Sequence, residues 1–225
     1  LLKLKMFEAN QQADSPAQSY HEQNSESSDN NGSEKILWFY KDSPQGLISE
    51  MLWLLGRADD ADESVHIRAV NPATGDARSF TLANMKQIID ENQNYGYNVY
   101  LVVNRGGTKT KEIIECLAIF FEYDDRLKKQ QFEIWKELGL PEPTFQVDTG
   151  GKSVHHYYGF REPISVEQWR NLQRRLLAVA AESDQNLKDP SRVMTLPGSC
   201  KFAGKKYAEL GLAEQVGDFF GWSRL

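Results

Sequence analysis

Hydrophobic and polar positions change character abruptly at Lys35. Residues 8–34 are rich in Gln, Asn, Ser, Asp and Glu and nearly lack aliphatic side chains. Such a composition buries too little apolar area to offset chain entropy, so residues 1–35 are expected to form a disordered polar arm. Ile36, Leu37, Trp38, Phe39 and Tyr40 then open a folded domain over 36–225. Inside it, GLISEMLWLLG at 46–56 reads as a short helix, and VHIRAV at 65–70 reads as a strand by alternation. A turn at Asn71-Pro72 and Gly75-Asp76 leads into a helical pattern at 79–92 through Leu82, Met85 and Ile89, and VYLVV at 99–103 predicts a buried strand. A second apolar strand is expected at 115–124, and a helix at 127–138 with Phe132, Trp135 and Leu138 on one side. Segments 145–148 and 154–160 flank Gly150-Gly151 and predict a β-hairpin. The clearest helix follows: Ser165 caps it, Gln168 completes a capping box, and Trp169, Leu172, Leu176 and Val179 share a face. A last short strand is expected at 192–196. Strands and helices interleave, and the hairpin argues against a purely parallel sheet.

Composition narrows the function classes. The 225 residues suffice for one large domain or two small ones, and 40% of them are hydrophobic, as in globular proteins. Thirty-two acidic against 26 basic residues give a net charge of -6, so any nucleic-acid contact is expected to be local rather than a general basic coat. Cys116 and Cys200 stand far apart and outside any zinc-ligand spacing, which suits reduced thiols in a cytoplasmic protein. No apolar stretch is long enough to span a bilayer, and residues 1–7 lack the features of a secretory signal, so no membrane partner is expected. The chain starts at Leu1, which suggests a piece excised from a longer polypeptide.

Three segments carry candidate chemistry. In Ala118-Ile-Phe-Phe-Glu-Tyr-Asp-Asp125 a strand would project Glu122 and Asp124 from one face and Phe121 and Tyr123 from the other. Paired carboxylates repel unless a cation lies between them, and hard oxygen ligands suit magnesium or manganese; equally, acids can be the polar tip of an apolar strand. In Asp148-Thr-Gly-Gly-Lys-Ser-Val-His-His-Tyr-Tyr158, Lys152 follows the glycine turn, and Ser153 and His155 share a face that could meet a triphosphate. The competing reading is a plain hairpin with a surface histidine. A P-loop is rejected, because the glycine spacing before Lys152-Ser153 is wrong and no helix follows. The third segment, 183–201, offers Asp184 or Asp189 and then Arg192 and Lys201 around a Leu-Pro-Gly-Ser turn. Between Lys188 and Lys206 five basic residues (Lys188, Arg192, Lys201, Lys205 and Lys206) face the single acid Asp189, which makes a phosphate-facing patch or a solvated loop.

Together these segments resemble the archaeo-eukaryotic primase superfamily, in particular its bacterial, plasmid and phage primase-polymerase (prim-pol) domains. That family carries an acid-x-acid strand, a Ser-x-His strand, and a third acid upstream of Arg-x-x-Arg-Leu-Pro-Gly-[Ser/Thr] with a following Lys. Here the matching residues are Glu122-Tyr-Asp124, Ser153-Val-His155, Asp184, and Arg192-Val-Met-Thr-Leu-Pro-Gly-Ser199 with Lys201, within a resemblance spanning about 37–206. The strand at Tyr100 to Asn104 is similar to the one preceding the family's acidic strand. Two departures stand out: Glu122 replaces the usual Asp, and Thr195 replaces the second Arg.

The resemblance implies an α+β fold in which an α/β subdomain and an RRM-like antiparallel sheet hold the active site between them. It implies template-dependent nucleotidyl transfer, as DNA primase or polymerase, from NTPs or dNTPs. Glu122, Asp124 and Asp184 (or Asp189 in its stead) would hold two Mg2+ or Mn2+ ions. Lys152, Ser153, His155, Arg192 and Lys201 would bind the triphosphate, with His155 beside the phosphates. Expected partners are a single-stranded DNA template, a primer and further replication domains, such as a helicase, on the same longer chain. Two other readings remain. One is a rolling-circle nickase or relaxase, suggested by His155-His156 near Tyr157 and Tyr158, although adjacent histidines face oppositely in a strand. The other is a non-catalytic replication-initiator or nucleotide-binding module.

Overall fold

A computed structural model describes residues 44–202 and 219–222, the latter stretch by its backbone alone. The expected polar arm, the apolar run at 36–40, Lys205 and Lys206 lie outside the described residues. Those described belong to one unit, Tyr40–Leu225.

The chain begins with helix α1 (Pro44–Leu54), whose Ile48, Met51 and Leu52 are buried. Strands β1 (His66–Val70) and β2 (Ala77–Thr81) form a hairpin, followed by helix α2 (Met85–Tyr95) and strand β3 (Asn98–Val102). With β8 (Val193–Thr195) they make an antiparallel sheet of order β2-β1-β3-β8. Strands β4 (Arg105–Gly106), β5 (Ile113–Glu122), β6 (Phe145–Asp148) and β7 (Val154–Ile164) make a second antiparallel sheet, of order β4-β5-β7-β6. Between β5 and β6 lie two single-turn helices, α3 (Lys128–Gln131) and α4 (Ile134–Glu137); helix α5 (Val166–Val179) follows β7. Strands β9 (Cys200–Phe202) and β10 (Phe219–Trp222) pair antiparallel. The architecture is α+β, as the resemblance implied.

Among the described residues no strand beyond the short β4 pairs with the outer edge of β5, yet its backbone groups there are met by side chains. Leu117 N–H donates to Asn104 Oδ1 (2.9 Å), and Ala118 O accepts from the Trp169 indole (2.7 Å). Gln173 takes both polar groups of Phe120, accepting from its N–H (3.1 Å) and donating to its carbonyl (2.7 Å). At the tip, Glu122 O accepts from the main-chain N–H of Asp184 (3.0 Å). Buried backbone groups need partners, so these residues stand in for a missing strand and hold β5 rigidly where its carboxylate emerges. Asn104 also donates to Pro190 O (2.8 Å), which ties the loop after β3 to the segment leading into β8.

Four local expectations are corrected. The helix expected at 79–92 begins only at Met85, because Ala77 to Thr81 pair residue by residue with β1 and place Phe80 opposite Ile67. The helix expected at 127–138 is broken into α3 and α4, and its buried residues are Gln131 and Ile134, while Phe132 is exposed. The strand expected to reach Asp124 ends at Glu122, which leaves Asp124 on the loop beyond. The buried face of α5 runs through Trp169, Gln173, Leu176 and Leu177; Val179 is exposed, since the hydrogen bonds of Gln173 draw a polar residue inward. The Ser165 cap and capping box form as expected.

Candidate active site

The acid-x-acid motif keeps the predicted alternation. Phe121 and Tyr123 are buried and meet edge-to-face, with ring centroids 6.0 Å apart, while Glu122 and Asp124 turn the other way. The β5–β7 register sets Glu122 opposite His155 and Phe121 opposite His156. His155 Nε2 therefore lies 2.9 Å from Glu122 Oε2, with only 5% and 15% of the two side chains exposed. Its Nδ1 is 3.4 Å from the Tyr157 hydroxyl. Burial alone would raise the Glu122 pKa; the charge and hydrogen bond of His155, with Lys201 and Arg192 behind it, outweigh burial and carry it down to about 2. One carboxylate thus sits within the field of three basic side chains from β7, β9 and the loop before β8.

Asp124, more exposed, accepts a 2.5 Å hydrogen bond from Ser153 Oγ, with Lys152 Nζ 4.0 Å away. Asp184 is joined to the strand tip by its main chain; its side chain lies 3.4 Å from Arg192 and accepts from Asn186 N–H (2.9 Å). Asp189 makes none of these contacts. Its carboxylate accepts from Thr110 and from Ser191 and closes a local turn, so Asp184 is the acid that the fold brings to the motif.

Lys201 connects the two sheets. Its ammonium stands over the Tyr100 ring of β3 at 5.1 Å and donates to the hydroxyl (3.3 Å). Its stem lies against the Gly-Gly turn: a Cβ added to Gly151 would come within 3.3 Å of Lys201 Cγ. The glycine of the Leu-Pro-Gly-Ser turn is required twice over, because Gly198 has φ +79° and a Cβ there would fall 2.5 Å from Pro44 Cα. The site therefore occupies the seam between the two sheets.

The fold gathers Glu122, Asp124, Lys152, Ser153, His155, Asp184, Arg192 and Lys201 into one neighbourhood. It does not aim the three carboxylates at one point: among the described residues no group of three His, Cys, Asp or Glu side chains forms a metal-holding cluster. Each acid faces its own partner, His155, Ser153 or Arg192. The donor set nevertheless has the right chemistry for a hard divalent cation, with carboxylate oxygens on adjoining segments. Sequence reasoning missed Tyr100 as the support of Lys201 and the buried amides Asn104, Gln131 and Gln173. Of these only Asn104, at the end of the apolar run Val99 to Val103, stood out in the sequence.

Among the described residues the nickase arrangement is absent. His156 points away from His155, stacks on Phe121 with centroids 4.4 Å apart, and donates from Nε2 to Gln131 O (2.8 Å). Burial pushes its pKa down to about 4, and Tyr157 and Tyr158 are buried.

Comparison with known proteins agrees with this fold. No protein-family profile matches the chain, and no curated protein does. Among solved structures, the AEP (archaeo-eukaryotic primase) domain of the cyanophage S-2L primase-polymerase is 37% identical, with a TM-score of 0.63 over 69% of this chain and 82% of that one. Primase RepB′ is 16% identical, with a TM-score of 0.55 over 81% of this chain and 55% of that one. The catalytic domain of primase RepB′ in complex with initiator DNA, also 16% identical, gives 0.50 over 77% and 93%. The two antiparallel sheets are those of a primase-type fold. The chain belongs to the archaeo-eukaryotic primase superfamily, with the primase-polymerases.

Proposed function

We propose that the protein is a template-dependent nucleotidyltransferase, a DNA primase or polymerase, that joins NTPs or dNTPs along single-stranded DNA. The observation that carries this reading is the Glu122–His155 pair at the β5–β7 tip, flanked by Asp124 and Asp184 and bathed in the charge of Lys201 and Arg192. Glu122, Asp124 and Asp184 would hold two Mg2+ or Mn2+ ions. Bound there, such ions lower the pKa of an attacking hydroxyl and neutralise charge on the triphosphate.

The chain's own residues then position the substrate. Lys152, Arg192 and Lys201 supply cationic contacts to the triphosphate, and Ser153 offers a hydroxyl. His155, held between Glu122 and Tyr157, orients one carboxylate and presents its ring beside the phosphates. The RepB′ catalytic domain has been solved in complex with initiator DNA, which supports DNA as a partner; single-stranded template and primer are the form of it that this reading requires. Among the described residues no helix is long and apolar enough to cross a membrane. Further replication domains on a longer chain, a helicase for example, would supply the strand.

The test is incorporation of labelled nucleotides on a single-stranded template with Mg2+ or Mn2+, with and without primer. Metal-dependent product that disappears on chelation supports the proposal. Nucleotide binding without any incorporation would make the chain a non-catalytic initiator module instead.

A further inference from the structure

Gln131 is fully buried, and its side chain bonds to main-chain groups around the candidate site. Its amide Nε2 donates to Arg126 O (2.7 Å) and to Lys152 O (2.8 Å), and its Oε1 accepts from Val154 N–H (2.7 Å). Two donors and one acceptor are thus engaged, a combination that only a carboxamide of this length supplies. The positions are informative. Lys152 and Val154 bracket Ser153, and Arg126 lies two residues beyond Asp124, the group that Ser153 contacts. The main-chain carbonyl of Gln131 accepts from His156, whose ring stacks on Phe121 next to Glu122. Gln131 therefore clamps the loop carrying Asp124 to the hairpin carrying Ser153 and His155, from behind.

We infer that Gln131 is a positioning residue that sets Asp124 against Ser153, and through that contact sets the strength with which the acid-x-acid motif binds a divalent cation. This rests on the reading of Asp124 as a cation ligand. Outer residues that orient metal ligands typically change metal affinity or activity by about 10–100-fold when replaced. A residue acting through one contact also loses its effect once that contact is gone.

The test is a double-mutant cycle read by Mn2+ alone, titrated into the protein with free ion followed by electron paramagnetic resonance. Nucleotide kcat and KM are measured in parallel. Gln131→Met is expected to weaken Mn2+ binding by about 10-fold or more and to lower kcat more than it raises KM. Gln131→Met combined with Ser153→Ala should be no more than about twofold worse than Ser153→Ala alone. Gln146→Ala, which removes a peripheral amide bonded to Phe132 O, should leave Mn2+ affinity unchanged. If Gln131→Met does not fold, Gln131→Asn keeps the amide, withdraws it by one methylene and is judged in the same way. Unchanged Mn2+ affinity, losses that multiply in the double variant, or loss of fold in both variants would overturn the inference and leave Gln131 a structural role only. A wild type that binds Mn2+ but incorporates no nucleotide defeats the polymerase reading while the cycle still decides Gln131. A wild type that binds no Mn2+ defeats both.

Discussion

Replacing Gln173 with leucine removes the side chain that stands in for a strand neighbour of β5 while roughly preserving volume. Three main-chain groups lose their partner: Phe120 N–H, Phe120 O and Leu187 O, the last bonded at 2.8 Å. A buried polar group left unsatisfied costs about 1–3 kcal/mol, and carbonyls tolerate the loss better than N–H groups, so the sum is about 3 kcal/mol. For a domain of this size a urea m-value of about 2 kcal/mol/M converts that into a midpoint lower by about 1.5 M with m unchanged. Urea unfolding followed by tryptophan fluorescence reads it directly, because Trp169 packs on Phe120 at 6.1 Å. A midpoint shift under about 0.3 M would refute the argument that side chains secure this edge, since neither the hydrogen bonds nor their loss would then be felt.

Two further outcomes follow from the site. The Glu122 carboxyl, carried from 4.5 to about 2, binds fewer protons folded than unfolded, so it contributes stability above about pH 4.5 that is lost as pH falls toward 2. The contribution is about 3 kcal/mol, so the stability gap between wild type and Glu122→Gln should narrow by that order between pH 5 and pH 2 in urea melts; a constant gap contradicts it. His155→Ala should mainly raise the apparent KM for the nucleotide, measured in steady-state incorporation. A defect confined to template binding would remove His155 from the phosphate site.

Much of the site was legible because strand alternation is a strict rule. Once β5 and β7 are recognised as strands, Glu122 must face away from Phe121, and His155 and His156 must part; Asp124 lies past the end of β5, where alternation no longer binds. The turn chemistry of Gly150-Gly151 and the Ser165 capping box were legible for the same reason: each depends on neighbours in sequence. What stayed hidden depends on tertiary partners. Gln131 and Gln173 look like ordinary polar residues until the main-chain groups they satisfy come into place, so the break between α3 and α4 and the buried face of α5 went unseen. Residues 79–81 read as helix because Phe80 and Leu82 suit either period; pairing with β1 decided the matter. The preference for Asp184 over Asp189 came from its distance to the Leu-Pro-Gly turn; what the sequence could not show is the backbone bond that ties Asp184 to Glu122.

The central claim is that the acids at the β5 tip serve catalysis, whatever Glu122 also contributes to stability. Asp124 carries it best, because its side chain is 47% exposed and its bond to Ser153 is not part of the core. The decisive measurement compares wild type with Asp124→Ala in synthesis of a strand complementary to a defined single-stranded template, alongside thermal melts of both proteins. The account predicts template-directed product from the wild type, none from the variant, and melting temperatures within about 4 °C of each other. Undiminished synthesis by a folded Asp124→Ala protein would contradict it.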